Sequence, residues 1–333
     1  MVADGHAGAA EEKRKALRDA VAASLYAPSI LNSQPWRWRL RGSSLAIQRD
    51  DDRKLPSIDP TGRLAIVSCG VALHHATTTL RAHGYTVTVH RTAAADADTL
   101  AEVTVDAAED VARRDAEMAR AIRFRHSDRR PIVAAERLRD ADVDALRTAA
   151  AGYECVLHRV REAHRPALGD AVERAQRAEE SDENYRRELA SWTLDRPEGA
   201  GVSFEGLVAP VPRPVAVRDF AEGTETGLFP GFGDDRFADY LILATAGDES
   251  VDWLRAGEAL SAVWLTATAR DLAMSVMSDV VEVPASRALV AGLLDGDDYP
   301  QLVLRAGYQG QPVPPPVTTR RALADVLDDD QDT

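Results

Sequence analysis

The densest chemistry in this sequence lies in RFRHSDRRP, Arg123 to Pro131. Arg123, Arg125, Arg129 and Arg130 crowd around His126 and Ser127 in a chain that is acidic overall. A guanidinium offers a planar fork of donors that matches phosphate oxygens. A hydroxyl and backbone N–H groups complete such a cradle. Each charged hydrogen bond of this kind contributes roughly 1.5–3 kcal/mol. Taken alone, the run is better accounted for as a solvated basic patch paired to neighbouring Asp and Glu. A second stretch, APSILNSQPWRWRL, Ala27 to Leu40, holds Asn32 and Gln34 between two prolines, with Trp36 and Trp38 at its exit. Prolines fix the backbone on either side of that amide pair, which an ordinary connecting loop does not need. A third cluster, TTRR, Thr318 to Arg321, follows PVPPPV. Its two hydroxyls and two guanidiniums also suit a phosphate, although in isolation a tail held by surface ion pairs accounts for it better.

Together the three clusters resemble the nitroreductase family of FMN-dependent reductases, and within it the single-chain, lidded Acg-like branch. Arg125, His126, Ser127 and Arg129 match the family's Arg-Arg/His-Ser-x-Arg/Lys motif, which holds the ribityl and phosphate of FMN. Pro28, Ser29, Asn32, Gln34, Pro35 and Trp36 match its Pro-Ser-x-x-Asn-x-Gln-Pro-Trp loop, which lines the isoalloxazine ring, with Ile30 and Leu31 inside that loop. Arg320 best matches a C-terminal Lys/Arg that returns to the phosphate, with Thr318 and Arg321 beside it. Where the family often carries a Glu-Gly pair near the flavin, this chain has Ser278 and Asp279. The resemblance implies FMN as cofactor at these positions. It also implies two-electron reduction of nitro- or quinone-like acceptors by NAD(P)H. The sequence itself presents no dedicated acid or base for that reaction.

In an ordinary nitroreductase the Arg-Ser motif precedes the Asn-Gln-Pro loop, and two subunits share two sites. Here the order is reversed and the spacing is long. The expected architecture is therefore α+β and nitroreductase-like, with two pseudo-symmetric halves fused as a pseudo-dimer. Residues 1–110 would carry the flavin loop and 111–333 the phosphate motif. One site is then complete and its mirror degenerate, and a monomer suffices. CGVALHH at Cys69 and AGEALSA at Ala256 share a G-x-A-L helix pattern in support of two related halves. Two rivals stand beside the reductase. One is a non-catalytic protein that sequesters FMN. The other is a pseudo-dimer that has lost FMN, against which the Arg cluster speaks, since buried unpaired guanidiniums are costly.

The positioning elements follow from periodicity. Leu17, Val21 and Leu25 predict a helix over Glu11–Tyr26, ended by Pro28. Trp36, Trp38 and Leu40 alternate with Arg37 and Arg39, a half-buried strand that RGSS turns into a second. A helix follows from Cys69 to Gly84, then the strand YTVTVHRT. Asp106–Phe124 and Glu136–Ala151 read as helices, and Arg165–Leu189 as one long polar helix. YLILATAGD and PQLVLRAGY read as strands on either side of helices at Trp253–Leu272 and from Pro284. Residues 194–235, dense in Gly and Pro with scattered Phe, Leu and Val, are too long for an ordinary connection and read as a lid over the site. The end after TTRRALADVL is acidic and expected to fray.

Composition excludes several classes. The chain has 333 residues, 45% hydrophobic and 28% charged, a globular balance. Its net charge of −14 repels nucleic acid and anionic membrane, so neither is expected as a partner. No apolar run is long enough to span a bilayer and no signal peptide opens the chain, which points to the cytoplasm. Cys69 and Cys155 build neither a disulfide framework nor a zinc site. Adjacent His74 and His75 point in different directions on a helix and read as core or surface, not metal ligands. Trp253 and Trp264 read as core, and GLFPGFG as part of the lid.

Overall fold

The computed structural model describes residues 2–92, 99–108, 110–193, 198–220, 226–311 and 313–330. Within the expected lid, residues 194–197 and 221–225 lie outside that set. The described residues form an α+β structure with two antiparallel-rich sheets on either side of a helical layer.

The first sheet has the order β3-β4-β2-β1-β9. Its members are β1 (Trp36–Arg41), β2 (Ser44–Arg49), β3 (Tyr85–Arg91), β4 (Thr99–Ala108) and β9 (Leu327–Asp330). β1 and β2 form the hairpin predicted by alternation, with Trp36, Trp38 and Leu40 facing inward. The second sheet has the order β5-β6-β8-β7, from β5 (Cys155–Arg159), β6 (Asp239–Thr245), β7 (Leu272–Met277) and β8 (Tyr299–Tyr308). Every residue of β6 is buried, as its unbroken apolar run requires.

Two helices form the centre, α2 (Arg63–Ala82) and α7 (Ser250–Ala269), both apolar on nearly all sides. They cross where the G-x-A-L pattern falls. A Cβ on Gly257 would lie 1.9 Å from the Val67 carbonyl oxygen and 2.8 Å from the Gly70 Cα. A Cβ on Gly70 would lie 2.1 Å from the Leu254 carbonyl oxygen. Only glycine at both positions lets the backbones approach this closely. Around this pair lie α1 (Val2–Ser24), α3 (Arg113–Phe124) and α4 (Asp140–Ala151). α5 (Arg165–Ser181), α6 (Glu183–Thr193), α8 (Asp279–Glu282) and α9 (Pro284–Ala291) flank the second sheet. Among the described residues no helix is long and apolar enough to cross a membrane.

Several expectations need correction. α2 starts at Arg63, not Cys69, because the buried Asp59 carboxylate accepts the Leu64 and Ala65 N–H groups at 3.1 and 2.8 Å and caps the helix early. Cys69 is therefore a mid-helix core residue whose burial pushes its thiol pKa up. Thr99–Ala108 is a strand and the following helix starts only at Arg113, since β4 pairs with both β2 and β3. The long polar helix breaks at Asp182, whose carboxylate accepts the Asn184 and Tyr185 N–H groups. The acidic end is an ordered strand as far as Asp330, parallel to β1, because Arg14 and Arg18 pair with Asp329 and Arg41 with Asp330. The tail of the chain thus closes the sheet built by its beginning.

Candidate functional site

Pro28, Ser29, Ile30 and Leu31 leave α1 and turn sharply before β1. Leu31, Asn32 and Gln34 have φ values of 47, 52 and 51°, the left-handed region. Each such residue costs on the order of 1–3 kcal/mol unless its surroundings enforce it. Here they do. The Ser29 hydroxyl accepts the Gln34 N–H at 2.9 Å, and Ser68 on α2 accepts the Ile30 N–H at 3.1 Å. The Asn32 amide donates to the carbonyls of Gly201 and Thr319 at 3.1 and 3.2 Å. The Gln34 amide donates to Gly199 at 2.8 Å and accepts from the Arg321 N–H at 2.9 Å. The expected amide pair therefore ties three strands of chain together: loop, the segment after residue 198, and the C-terminal tail. Neither amide head lines the cleft beside the loop.

That cleft measures about 90 Å³ and lies between α2, α7 and the end of β7. From the expected set it is lined by Pro28, Ser29, Ile30, Leu31, Ser127, Arg129 and Ser278. Leu64, Val67, Ser68 and Val71 of α2 add a wall at helical spacing, which in sequence cannot be told from an ordinary core face. Trp264 was expected to be core and is 2% exposed, but its ring also lines the cleft. The Arg125 guanidinium carbon lies 4.7 Å from the centre of that ring. Sequence reasoning did not single out Phe220 and Ser275, which also line it. Phe220 lies in the expected lid and had no local signal beyond being an aromatic in a Gly/Pro-rich segment.

Arg129 lines the cleft, Arg125 packs on the Trp264 ring at its wall, and Arg320 lies near enough to Arg125 to act on its charge. Among the described residues no carboxylate pairs with Arg125, Arg129 or Arg320. Nε and Nη1 of Arg125 and Nε of Arg320 are buried with no hydrogen-bond partner. Burial, then the charge of Arg320, lowers the Arg125 pKa to about 9. Burial lowers Arg320 to about 10. Arg129 is lowered to about 10 by burial, then by Arg218 and Arg305, and its guanidinium carbon lies 4.8 Å from the centre of the Phe220 ring. Thr318 accepts a hydrogen bond from Arg320 and orients it. Buried guanidiniums held this way are an unsatisfied demand for an anion.

The backbone that presents Ser127 and Arg129 is held by a separate charged network. Arg130 and Asp128 form a two-point pair at 2.9 and 2.7 Å. Arg305 donates to the carbonyls of Asp128 and Arg130 and to Asp235, and Arg213 donates to Asp235 and the Arg129 carbonyl. Asp235 also accepts the Ile132 N–H at 2.6 Å. Asp235→Ala would strand two buried arginines. We expect it to lower unfolding stability by about 3–5 kcal/mol, read from urea denaturation; a change under about 1 kcal/mol would contradict this role. Two expected residues are turned elsewhere. His126 is directed to the Phe124 carbonyl at 3.0 Å, and Arg321 pairs with the buried Asp50 at 3.0 Å and donates to the Trp36 carbonyl. Arg321 is thus a structural tie of the tail, because it pairs with an acid, whereas among the described residues none pairs with Arg320.

The chain is 34% identical to the Mycobacterium tuberculosis protein named "Putative NAD(P)H nitroreductase acg" over 317 residues, 93% of this chain and 95% of that protein. A second M. tuberculosis protein with the same nitroreductase designation is 34% identical over 94% of this chain and 91% of its own length. An uncharacterised protein of the same organism is 31% identical over 93% of this chain and 92% of its own length. No family model matches. Among solved structures, an FMN-bound nitroreductase from Bacteroides fragilis overlays on 62% of this chain and 95% of its own, at 15% identity and a TM-score of 0.40.

Proposed function

The chain belongs to the nitroreductase family, in its Acg-like branch, and on that premise we propose that it is an FMN-binding, nitroreductase-type oxidoreductase that draws electrons from NAD(P)H. The observation that carries this reading is that buried Arg125 and half-buried Arg129 and Arg320 pair with no carboxylate among the described residues, with nitrogens of Arg125 and Arg320 left unpartnered. They fit a phosphate, and the adjoining apolar walls of α2, Ile30 and Trp264 fit a flat ring. When bound, FMN supplies two-electron redox chemistry. The chain's own part is to bind, orient and exclude water. Arg125 and Arg320 would hold the phosphate, with Arg129 and Ser127 beside it. The Ser29–Leu31 backbone would present peptide groups along one edge of the ring. Ser278 and Ser275 also line the cleft, where a hydroxyl can donate or accept.

Support for a fused pair of halves comes from the mutual contact of Gly70 and Gly257 in matching G-x-A-L patterns. A chain that supplies both the ring-lining loop and the phosphate grip has no need of a second copy to complete the site. Two free cysteines suit a reducing compartment such as the cytoplasm.

One observation favours the second reading, a protein that retains FMN and turns nothing over. Ligand sites usually occupy about 300–1,000 Å³, whereas this cleft is about 90 Å³ and is roofed by Phe220. A cofactor seated there, with the segment closed on it, has no face left for a nicotinamide. Visible absorption of the purified chain, followed by anaerobic NADPH in the same cuvette, separates the two. Bands that bleach identify a reductase. Bands that persist with NADPH and bleach with dithionite identify retention. Absence of flavin bands even after adding FMN would overturn both.

A further inference from the structure

Resting on the reading of the cleft as a cofactor site, we infer that Arg218, Glu179, Glu282 and Tyr185 form a proton-operated clasp that holds Phe220 in the cleft and releases it as pH rises. Arg218 and Phe220 belong to the segment after residue 198, while the other members come from the body of the fold. Nη2 of Arg218 lies 2.6 Å from Oε1 of Glu179 on α5, 2.6 Å from Oε2 of Glu282 on α8 and 2.6 Å from the Tyr185 hydroxyl on α6. Tyr185 in turn donates to Glu282 at 2.6 Å. Two residues further along the chain, the Phe220 ring lies between two guanidiniums, 4.8 Å from Arg129 and 5.6 Å from Arg218. Phe220 lines the cleft, so the segment cannot lift Arg218 off its acids without drawing the ring out.

The charges around this clasp do not balance. Asp279 on α8 adds a third buried carboxyl, with its Oδ2 lacking a partner, as does Oε1 of Glu282. Against Glu179, Asp279 and Glu282 stands Arg218, with Arg129 across the Phe220 ring and Asp59 and Arg63 acting on Glu282 from α2 and its cap. Burial would lower Arg218, but Glu282, Tyr185 and Glu179 outweigh it and hold it charged. Burial pushes the Glu179 carboxyl up to about 7, against the pull of Arg218, and burial raises Asp279 in the same sense.

The sign follows from linkage. With the clasp closed, Glu179 keeps its proton up to about pH 7; released into solvent it returns toward its ordinary value of 4.5. Opening therefore releases a proton between those values, and rising pH favours the open state there. Below that window and above it the dependence flattens.

The test is backbone hydrogen exchange of residues 207–220 in the full chain as purified, at pH 5, 6, 7 and 8, corrected for intrinsic exchange. Strand β6 serves as the internal reference. Protection of the segment should fall by up to about tenfold per pH unit from pH 5 to 7. Glu179→Gln, permanently neutral and nearly isosteric, should keep at pH 8 the protection that the parent chain has at pH 5. Arg218→Met should lose protection at every pH while β6 stays protected; if it fails to fold, the first two profiles decide. A flat profile in the parent chain, or Glu179→Gln tracking the parent, overturns the clasp. A protein that shows graded protection but no flavin bands even after adding FMN upholds the clasp and overturns the cofactor reading. A flavin-bearing protein with flat protection does the reverse.

Discussion

An Arg125→Met/Arg129→Met chain is expected to purify without flavin and to bind added FMN at least about a hundredfold more weakly than the parent. Two charged hydrogen bonds at roughly 1.5–3 kcal/mol each sum to about 3–6 kcal/mol, and each 1.4 kcal/mol is about tenfold in affinity. The fold should not suffer with the site. Arg125 is 9% exposed with two nitrogens unpartnered, so its removal strands no acid and relieves a buried charge. Met retains apolar volume against Trp264 and Phe220. Unfolding stability of the flavin-free chain should therefore be unchanged or higher. Flavin fluorescence titration reads the first effect and urea denaturation the second. Full flavin retention would remove these arginines from the site. Loss of flavin together with lost stability would make them structural instead. Arg321→Met provides the contrast: its partner Asp50 is buried, so that change should cost stability.

The second large effect is expected at the crossing of α2 and α7. Gly257→Ala places a methyl 1.9 Å from the Val67 carbonyl oxygen, and Gly70→Ala places one 2.1 Å from the Leu254 carbonyl oxygen. Both obstacles are backbone atoms on long buried helices, which cannot yield as a flexible side chain can. The helices must separate, and the core around Leu73, Leu260 and Val263 opens with them. We expect each substitution to cost about 3 kcal/mol or more, the upper end of overpacking. The double variant should cost less than the sum, because both methyls force the same separation. Gly8→Ala supplies the sign control: nothing lies within 4 Å of its Cβ, and Ala in a helix is favoured over Gly by about 0.5–1 kcal/mol. Thermal and urea unfolding of the three single variants would check this ordering. Equal effects at Gly8 and Gly257 would refute the close approach.

Local periodicity carried most of the elements. Alternation in Trp36–Leu40 needs only the pleat of a strand, and the unbroken YLILATA run needs only two covered faces. The phosphate-type cluster was also legible, because four arginines beside His126 and Ser127 form a local pattern whose chemistry does not depend on distant chain. The same holds for the Pro28–Trp36 loop as a constrained turn. What these stretches determine is a fold class and, on the function we propose, the groups that would grip an anion beside a flat ligand.

Which of those groups face one another was decided by contacts remote in sequence. Arg320 and Arg321 are adjacent and chemically alike. One meets Asp50 and becomes a structural tie; the other donates to Thr318 and Thr319, pairs with no acid among the described residues, and is the one we propose for an anion. Asn32 and Gln34 carry amides suited to a ring edge, yet Gly199, Gly201 and Thr319 arrive first and use them. Phe220 and Trp264 join the cleft because the segment after residue 198 and α7 converge there, and no local periodicity encodes that. Likewise Thr99–Ala108 becomes a strand because β2 and β3 satisfy its backbone on both sides. A side chain's chemistry is carried by its own atoms, but its partner, its burial and hence its charge state are set by whichever atoms the tertiary fold brings within a few ångströms.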